Sequence, residues 1–328
     1  MLFLTASEIE KALPMEEVIT SMKDAYAALS SGNAQIPLRT QLSLKEFDAF
    51  ALFMPAYLHY GQQHVLSLKA VSVFPHNTDL DLPIIHAAVL VLDPQNGTLQ
   101  AILEGSRLTA LRTGGASGAA TDMLARSNCQ IGAIFGAGVQ GRTQLQAICS
   151  VRSLERVWVF DPDRSRANEL VEELAGQGLI PDDLRVADSP SQAVRNADVI
   201  CAATTSQRPV FEAADLKPGT HINGVGSYRP DMIEISPDVI KKASVFVGSR
   251  EGVLAEAGEI LAAEQLGLID RSDLVELGDV ILQKTAGRVA SDQITFFKSV
   301  GVAVQDAAAA HLALKNARKM GLGREINW

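Results

Sequence analysis

At 328 residues the chain exceeds the roughly 250–300 residues beyond which a single hydrophobic core stops growing, so two domains are expected. Hydrophobic residues make up 47% and charged residues 20%, which excludes a disordered chain. The 38 acidic against 29 basic residues, with no Lys/Arg-rich run, argue against a nucleic-acid or anionic-membrane surface.

The expected partner is therefore a small molecule. Cys129, Cys149 and Cys201 are odd in number, widely spaced and set among apolar residues, so they read as reduced core residues, not as a disulfide framework or thiolate cluster. The opening MLFLTASEIEKALP lacks a basic n-region, and no uncharged apolar run approaches the roughly 18–20 residues that span a bilayer. A cytoplasmic location follows as the expectation.

Thr5 and Glu8 have capping-box spacing, Pro14 stands where a second helix would start, and Val18, Met22, Ala25 and Leu29 share one face of it. This helical opening is expected to end at Gly32. From Arg39 to Glu104 the texture is β, in RTQLSLK, FDAFALFMPAY, VLSLKAVSVF, IIHAAVLVLD and TLQAILEG, separated by turn clusters. Residues 106–126, rich in small side chains at helical spacing, suit a hinge helix. Beyond them strands and helices alternate through RVWVFD, LRVAD, DVICAATT, THINGVG and SVFVGSR, the pattern of a parallel sheet with crossover helices. The last helix, GVAVQDAAAAHLALKNARKM, is expected to return to the first domain. The fold class is therefore α/β: a Rossmann-type doubly wound parallel sheet plus an α+β domain with a largely antiparallel sheet. The expected division is 1–122 with 302–328, and 123–301.

IGAIFGAGVQGRTQL runs from an apolar strand through Gly136, Gly138 and Gly141 into a helix. In a G-x-G-x-x-G turn the first glycine makes the tight turn, the second lets backbone approach a pyrophosphate, and the third permits close helix-on-strand packing. The helix N-terminus adds unpaired N–H groups for the phosphates. Asp161 ends the next strand, 20 residues beyond Gly141, the spacing at which an acid meets the adenosine ribose hydroxyls. A carboxylate there accepts from a ribose diol and repels a 2′-phosphate, which favours NAD(H). Arg164 and Arg166 follow closely and suit either a phosphate, as in NADP(H), or a solvated helix start.

Between Ser30 and Arg107 the basic residues are Arg39, Lys45 and Lys69. Lys69 lies within an apolar strand, where an ammonium must either reach solvent or meet an anion. With Arg112 on the hinge helix, Arg39 and Lys69 could gather around one carboxylate, and a desolvated lysine can act as acid or base. Spacing alone leaves the alternative open that all three are surface residues. The histidines show no metal-ligand spacing, and no metal is expected.

The run LPIIHAAVLVLDPQNGTLQAILEGSRLTALRTGGASGAATDMLAR, followed by GAIFGAGVQGRTQ, resembles the ornithine cyclodeaminase/mu-crystallin family, as do SLKAVSVFPHN, NGVGSYRPDM and DQITFFKSVGVAVQD. The resemblance implies a Rossmann domain inserted into a dimerisation domain whose strands join those of a second subunit, with the active site in the cleft between domains. It implies Arg39, Lys69 and Arg112 as ligands of a substrate carboxylate, Lys69 as the catalytic group beside the reacting carbon, and Val300 near the substrate. For the cofactor it implies Arg112, Thr113, Val139, Gln140, Asp161, Thr204, Asn223, Gly224, Val225 and Ser299, beside the three glycines and Arg164 already read from the turn and the helix that follows Asp161. His86 matches a histidine of the mu-crystallin-like sequences, although a lone histidine in an apolar strand reads more simply as a hydrogen-bonded core residue.

In the family's cyclodeaminases the loop after VG carries a catalytic Asp; here that position is Tyr228, with Asp231 three residues on as a replacement acid or a surface residue. The GSYRPDM form is closer to the ketimine-reductase branch. The expected activity is NAD(P)H-dependent reduction of α-imino acids, the expected substrates being cyclic ketimines such as 1-pyrroline-2-carboxylate or 1-piperideine-2-carboxylate. The alternatives are ornithine cyclodeamination, alanine dehydrogenation, and a crystallin-like binding protein. A homodimer is expected.

Overall fold

The computed structural model describes residues 1–327, and the chain divides into two compact units, Met1–Arg112 with Val302–Trp328, and Thr113–Gly301. The boundary falls inside a helix, at residue 112, where the sequence placed it at that helix's end.

The first unit opens with strand β1 (Leu2–Leu4) and helices α1 (Ala6–Ala12) and α2 (Met15–Ser30). The backbone N–H of Thr5 donates to Glu8 Oε2 at 2.9 Å, closing the capping box that starts α1. Pro14 caps α2, which buries Val18, Met22, Ala25 and Tyr26. Strands β2 (Ala34–Gln35), β3 (Thr40–Leu44), β4 (Ala49–Tyr60), β5 (Gln63–Val73), β6 (Ile85–Leu92) and β7 (Leu99–Glu104) follow. They build a sheet in the order β7-β6-β5-β4-β2, with β3 also paired to β4, every one of these pairs antiparallel. Strand β1 adds to β7 in parallel. The sequence did not mark β1 or β2, because strands of three and two residues are too short to show alternation and exist here through pairing.

Helix α3 (Gly105–Leu124) runs through the boundary between the units. The second unit continues with β8 (Ile131–Phe135), α4 (Val139–Val151), β9 (Arg156–Phe160), α5 (Arg164–Leu174), β10 (Leu184–Val186), α6 (Pro190–Val194), β11 (Val199–Ala202) and β12 (His221–Gly224). Then come α7 (Pro237–Lys242), β13 (Ala243–Val247), α8 (Arg250–Glu256), α9 (Gly258–Gln265), β14 (Val275–Glu276), α10 (Leu277–Ile281) and β15 (Ile294–Lys298). All eight strands are parallel, in the order β10-β9-β8-β11-β12-β15-β13-β14. Such a sheet is covered on both faces, which is why β11 (VICA) is a continuous buried run without alternation. The chain winds outward from β8 through β9 to β10, then crosses back to β11 on the other side. This makes the C-terminal edge between β8 and β11 the topological switch point.

Helix α11 (Ala303–Met320) belongs to the first unit and ends at Gly321, whose φ of 66° is the left-handed cap conformation. Ala307–Ala310 are fully buried, letting the helix approach β4, β5 and β6 closely. A final short strand, β16 (Arg324–Glu325), pairs antiparallel with β1. Cys129, Cys149 and Cys201 are free and buried. No helix among the described residues is long and apolar enough to cross a membrane.

Candidate functional site

The glycine turn is built as the motif requires. Gly136 has φ of 93°, and a Cβ there would stand 2.6 Å from the carbonyl oxygen of Ala203, in the loop after β11. At Gly141 a Cβ would lie 1.8 Å from the oxygen of Gly136, so the turn and the first coil of α4 fit together only through glycine. Gly138 differs: it is the N-cap of α4, and a Cβ there would meet nothing within 4 Å. The space before the helix N-terminus is thus open to a pyrophosphate, with Val139 60% exposed beside it.

Asp161 lies just past β9, and its carboxylate already serves the turn. Its Oδ2 accepts from Ala137 N at 2.8 Å and its Oδ1 from Asp163 N at 2.9 Å. Each oxygen keeps a further lone pair for a ribose diol. Arg164 is exposed and donates to Asp188 Oδ1 at 2.8 Å, while Arg166 lies 3.5 Å from Asp163. Both arginines therefore have acidic partners within this unit. Gln140, one residue into α4, has a buried Oε1 without a hydrogen-bond partner.

Behind the turn, a buried charge network joins the loops at the sheet's C-terminal edge. Glu234, fully buried, accepts from Thr204 N at 2.5 Å through Oε1, and from Gly226 N at 2.6 Å and Ser227 N at 3.0 Å through Oε2. It thereby links the loops after β11 and β12. A Cβ at Gly226 would stand 2.0 Å from Thr204 O, so that junction also demands glycine. Lys298, at the end of β15, reaches Ser227 Oγ at 2.9 Å and Glu259 Oε1 at 2.8 Å, and Ser227 donates to Glu259 Oε2. The Glu259 Oε1 contact is an ion pair without hydrogen-bond alignment. Burial, reinforced by Glu259, raises the Glu234 pKa, against the pull of Lys298 and the backbone donors.

Other residues expected at the cofactor fall nearby with different surroundings. The Asn223 side chain is internal: Nδ2 donates to Thr121 Oγ1 at 2.9 Å and Oδ1 meets His221 Nε2 at 3.2 Å. What this segment can offer a ligand is the loop beginning at Gly224 and Val225. Ser299 is buried, its N–H bound to Gly224 O at 3.2 Å, and Val300 packs against the core of this unit. Thr113 is buried in α3. Burial pushes His221 down to about 3, so this histidine is a neutral core residue. Asp231 is exposed and held by Arg229 at 3.1 and 2.9 Å, with Gln207 Nε2 at 3.3 Å.

In the first unit Lys69 is 3% exposed, on the buried face of β5 that also carries Val65 and Ser67. Its ammonium meets Asp306 Oδ1 at 3.2 Å, and Arg112 Nε donates to the same oxygen at 3.0 Å. Arg112 Nη1 reaches Gln305 Oε1 at 2.9 Å, and Gln305 Nε2 donates to Tyr26 OH at 2.7 Å. The surface alternative is thus removed for Lys69 and Arg112: both are buried. Arg39, half-buried just before β3, belongs to the same electrostatic neighbourhood. Burial lowers its pKa first, then Arg112, with Asp306 opposing. Burial likewise lowers the Lys69 ammonium to about 8, Asp306 raising it while Arg112 and Arg39 lower it. His86 proves exposed at the start of β6, not a core residue, because the strand's first residues lie beyond the covered part of the sheet.

Asp306 is the participant that sequence reasoning missed. The signal was present as VQDAAAA, a polar pair inside an alanine-rich helix, but its partners are 237 and 194 residues away. Among the described residues no three His, Cys, Asp or Glu side chains gather as a metal site.

The structure of Thermococcus litoralis Δ1-pyrroline-2-carboxylate reductase in complex with NADH and L-proline superposes with a TM-score of 0.93 at 39% identity, covering 99% of this chain and 100% of that one. An archaeal alanine dehydrogenase dimer with bound NAD gives a TM-score of 0.91 at 30% identity, over 100% and 99% of the two chains. A Δ1-pyrroline-2-carboxylate reductase of Bacillus cereus is 35% identical over 333 aligned residues, spanning 100% of both chains. Relatives at this identity over full length share a family, and the model of the ornithine cyclodeaminase/mu-crystallin family matches residues 1–321: the chain belongs to that family.

Proposed function

We propose that this protein is an NAD(H)-dependent oxidoreductase that reduces cyclic α-imino acids, 1-pyrroline-2-carboxylate or 1-piperideine-2-carboxylate, to the L-amino acids. The observation that carries this reading is the buried pairing of two cations, Lys69 and Arg112, with a single carboxylate oxygen of Asp306. That cluster is completed by an anion from outside, and a substrate carboxylate supplies one. The relatives named for pyrroline-2-carboxylate reduction support the ring-containing substrate.

Arg112 and Arg39 hold the substrate carboxylate, fixing the C=N bond beside Lys69. The bound dinucleotide supplies the hydride. As the imine carbon gains its C–H bond, the ring nitrogen takes a proton from Lys69 Nζ, which returns to the ammonium form from solvent. The sum is imine, NADH and one proton giving amine and NAD+. A lysine near pKa 8 is well placed for this, being protonated at neutral pH yet able to release the proton. The open N-terminus of α4 takes the pyrophosphate and Asp161 the adenosine ribose. Exposed Arg164, already paired with Asp188, leaves NAD(H) favoured over NADP(H). Cyclodeamination is disfavoured by Tyr228 in place of the family's acid, and Asp231 is engaged by Arg229.

The same reading includes a homodimer. Leu38, Leu42, Phe47 and Leu80, around β3 and the turn after β5, are 79%, 53%, 60% and 69% exposed, apolar side chains that a second copy would cover. Light scattering of the purified protein tests this, and a monomeric mass at micromolar concentration refutes it.

The activity is tested by following NADH absorbance with each cyclic imine, with pyruvate plus ammonia, and with L-ornithine. NADH oxidation with the cyclic imines is expected. Its absence, together with proline release from ornithine, would replace this function by cyclodeamination.

A further inference from the structure

We propose that Asp306 is the positioning residue that keeps Lys69 an ammonium ion and aims the guanidinium of Arg112, and thereby sets the upper pH limit of the reaction. The catalytic consequence rests on the function proposed above. The coupling of Asp306 to Lys69 rests on their buried contact and not on that function.

Asp306 is 1% exposed and lies in the first turn of α11. Its Oδ1 is shared between Lys69 Nζ at 3.2 Å and Arg112 Nε at 3.0 Å. Its Oδ2 is buried without a hydrogen-bond partner. Packing gives no reason for a carboxylate here, since the next four residues are alanines buried to the last atom. Gln305 completes the setting from the neighbouring position: Oε1 takes Arg112 Nη1 and also Val302 N at 2.8 Å, while Nε2 reaches Tyr26. Arg112 is thus gripped at two nitrogens by consecutive residues of one helix.

The groups facing Lys69 explain why this acid matters. Strands β4 and β6 place Met54 and Val89 directly beside it, neither of them titratable. Arg39 precedes β3, Arg112 comes from α3, Asp306 from α11, and Tyr26 of α2 stands behind Gln305. Of the charged groups, Asp306 alone favours the ammonium; burial, Arg39 and Arg112 all oppose it. Neutralising Asp306 leaves an ammonium desolvated among cations, and its pKa must fall. A larger share of Lys69 would then be neutral at pH 7, with no proton to give and one less charge for a substrate carboxylate.

The test is a pH titration by NMR of the full-length protein labelled with 13Cε-lysine, the Lys69 resonance being assigned by its loss in Lys69→Arg. In the wild type a midpoint of about 8 is expected. In Asp306→Asn it falls by roughly one unit or more, and in Asp306→Glu it returns to within about half a unit. An Asp306→Asn midpoint within about 0.3 unit of wild type overturns the proposal. A measurement on wild-type protein labelled with 13Cγ-aspartate does not depend on how the Asp306 variants fold: the Asp306 carboxyl carbon shift should inflect at the Lys69 midpoint, and a flat response there also overturns the proposal. In turnover, the alkaline limb of kcat moves to lower pH in Asp306→Asn and returns in Asp306→Glu. If the wild type reduces no cyclic imine, the proposed function fails while the NMR result still decides the coupling.

Discussion

Two lysines are buried among the described residues, and they stand in opposite charge balance. Lys298, in the second unit, is fully buried with Glu259 at 2.8 Å and the equally buried Glu234 within electrostatic reach, so acids outnumber it. Lys69, in the first, shares one oxygen of Asp306 with Arg112, so cations outnumber the acid. A lysine among carboxylates and backbone donors forms a closed structural network. A lysine among guanidinium groups forms a site whose electrostatics an external anion completes. Under the proposed function, what distinguishes the two buried lysines is the sign of the charge imbalance around each.

The sharpest way to break this comparison is to remove each ammonium in turn. Lys69→Met should lower kcat with 1-pyrroline-2-carboxylate by about 100-fold or more. Its Tm should hold or rise, since Asp306 keeps Arg112 and a cation surplus is relieved. A large fall in Tm would show that Lys69 is a structural residue like Lys298. Lys298→Met should do the reverse. Two buried acids lose their counter-charge, a loss of about 3–5 kcal/mol, which corresponds to a Tm drop of roughly 6 °C or more in a calorimetric scan. An unchanged Tm would mean that the network carries no stability.

A smaller effect is the pH linkage of Lys69. The kcat of the wild type should decline above about pH 8 as Lys69 loses its proton. Its folded pKa lies below the ordinary 10.5, so between these values the unfolded chain binds the proton more tightly. The Lys69 contribution to stability therefore rises with pH across that window while activity falls. A pH profile flat to pH 10 would remove Lys69 from the proton step. Glu234→Gln tests the network's reach toward the cofactor: with one acceptor lost between the loops after β11 and β12, NADH should bind about fivefold more weakly, while ADP-ribose changes little. Equal weakening of both ligands would assign Glu234 to general stability. The mildest change is Asp161→Asn, expected to narrow the NADH preference over NADPH by a few-fold in kcat/KM. An unaltered ratio would show that this acid is not read.

Local rules made much of this legible. The capping box at Thr5, the alternation in β4 and β5, and the glycine spacing ahead of Asp161 depend on residues within one or two elements, so their signals are printed side by side in the chain. Strand β15, wedged between β12 and β13, leaves no such mark: its place in the order depends on a crossover from the far end of the unit. Asn223 was expected at the ligand and instead bonds Thr121 and His221 inside the core, because the period of a buried parallel strand does not say which polar residue is internal.

The sequence by itself determined the dinucleotide turn, the alternating architecture of the second unit, and the candidacy of Lys69 and Arg112, since each rests on residue type and short spacing. Which charges surround those two side chains was decided only by the tertiary structure. Electrostatic free energy depends on separation in space and on desolvation, and the acid in contact with Lys69, Asp306, lies 237 residues from it along the chain.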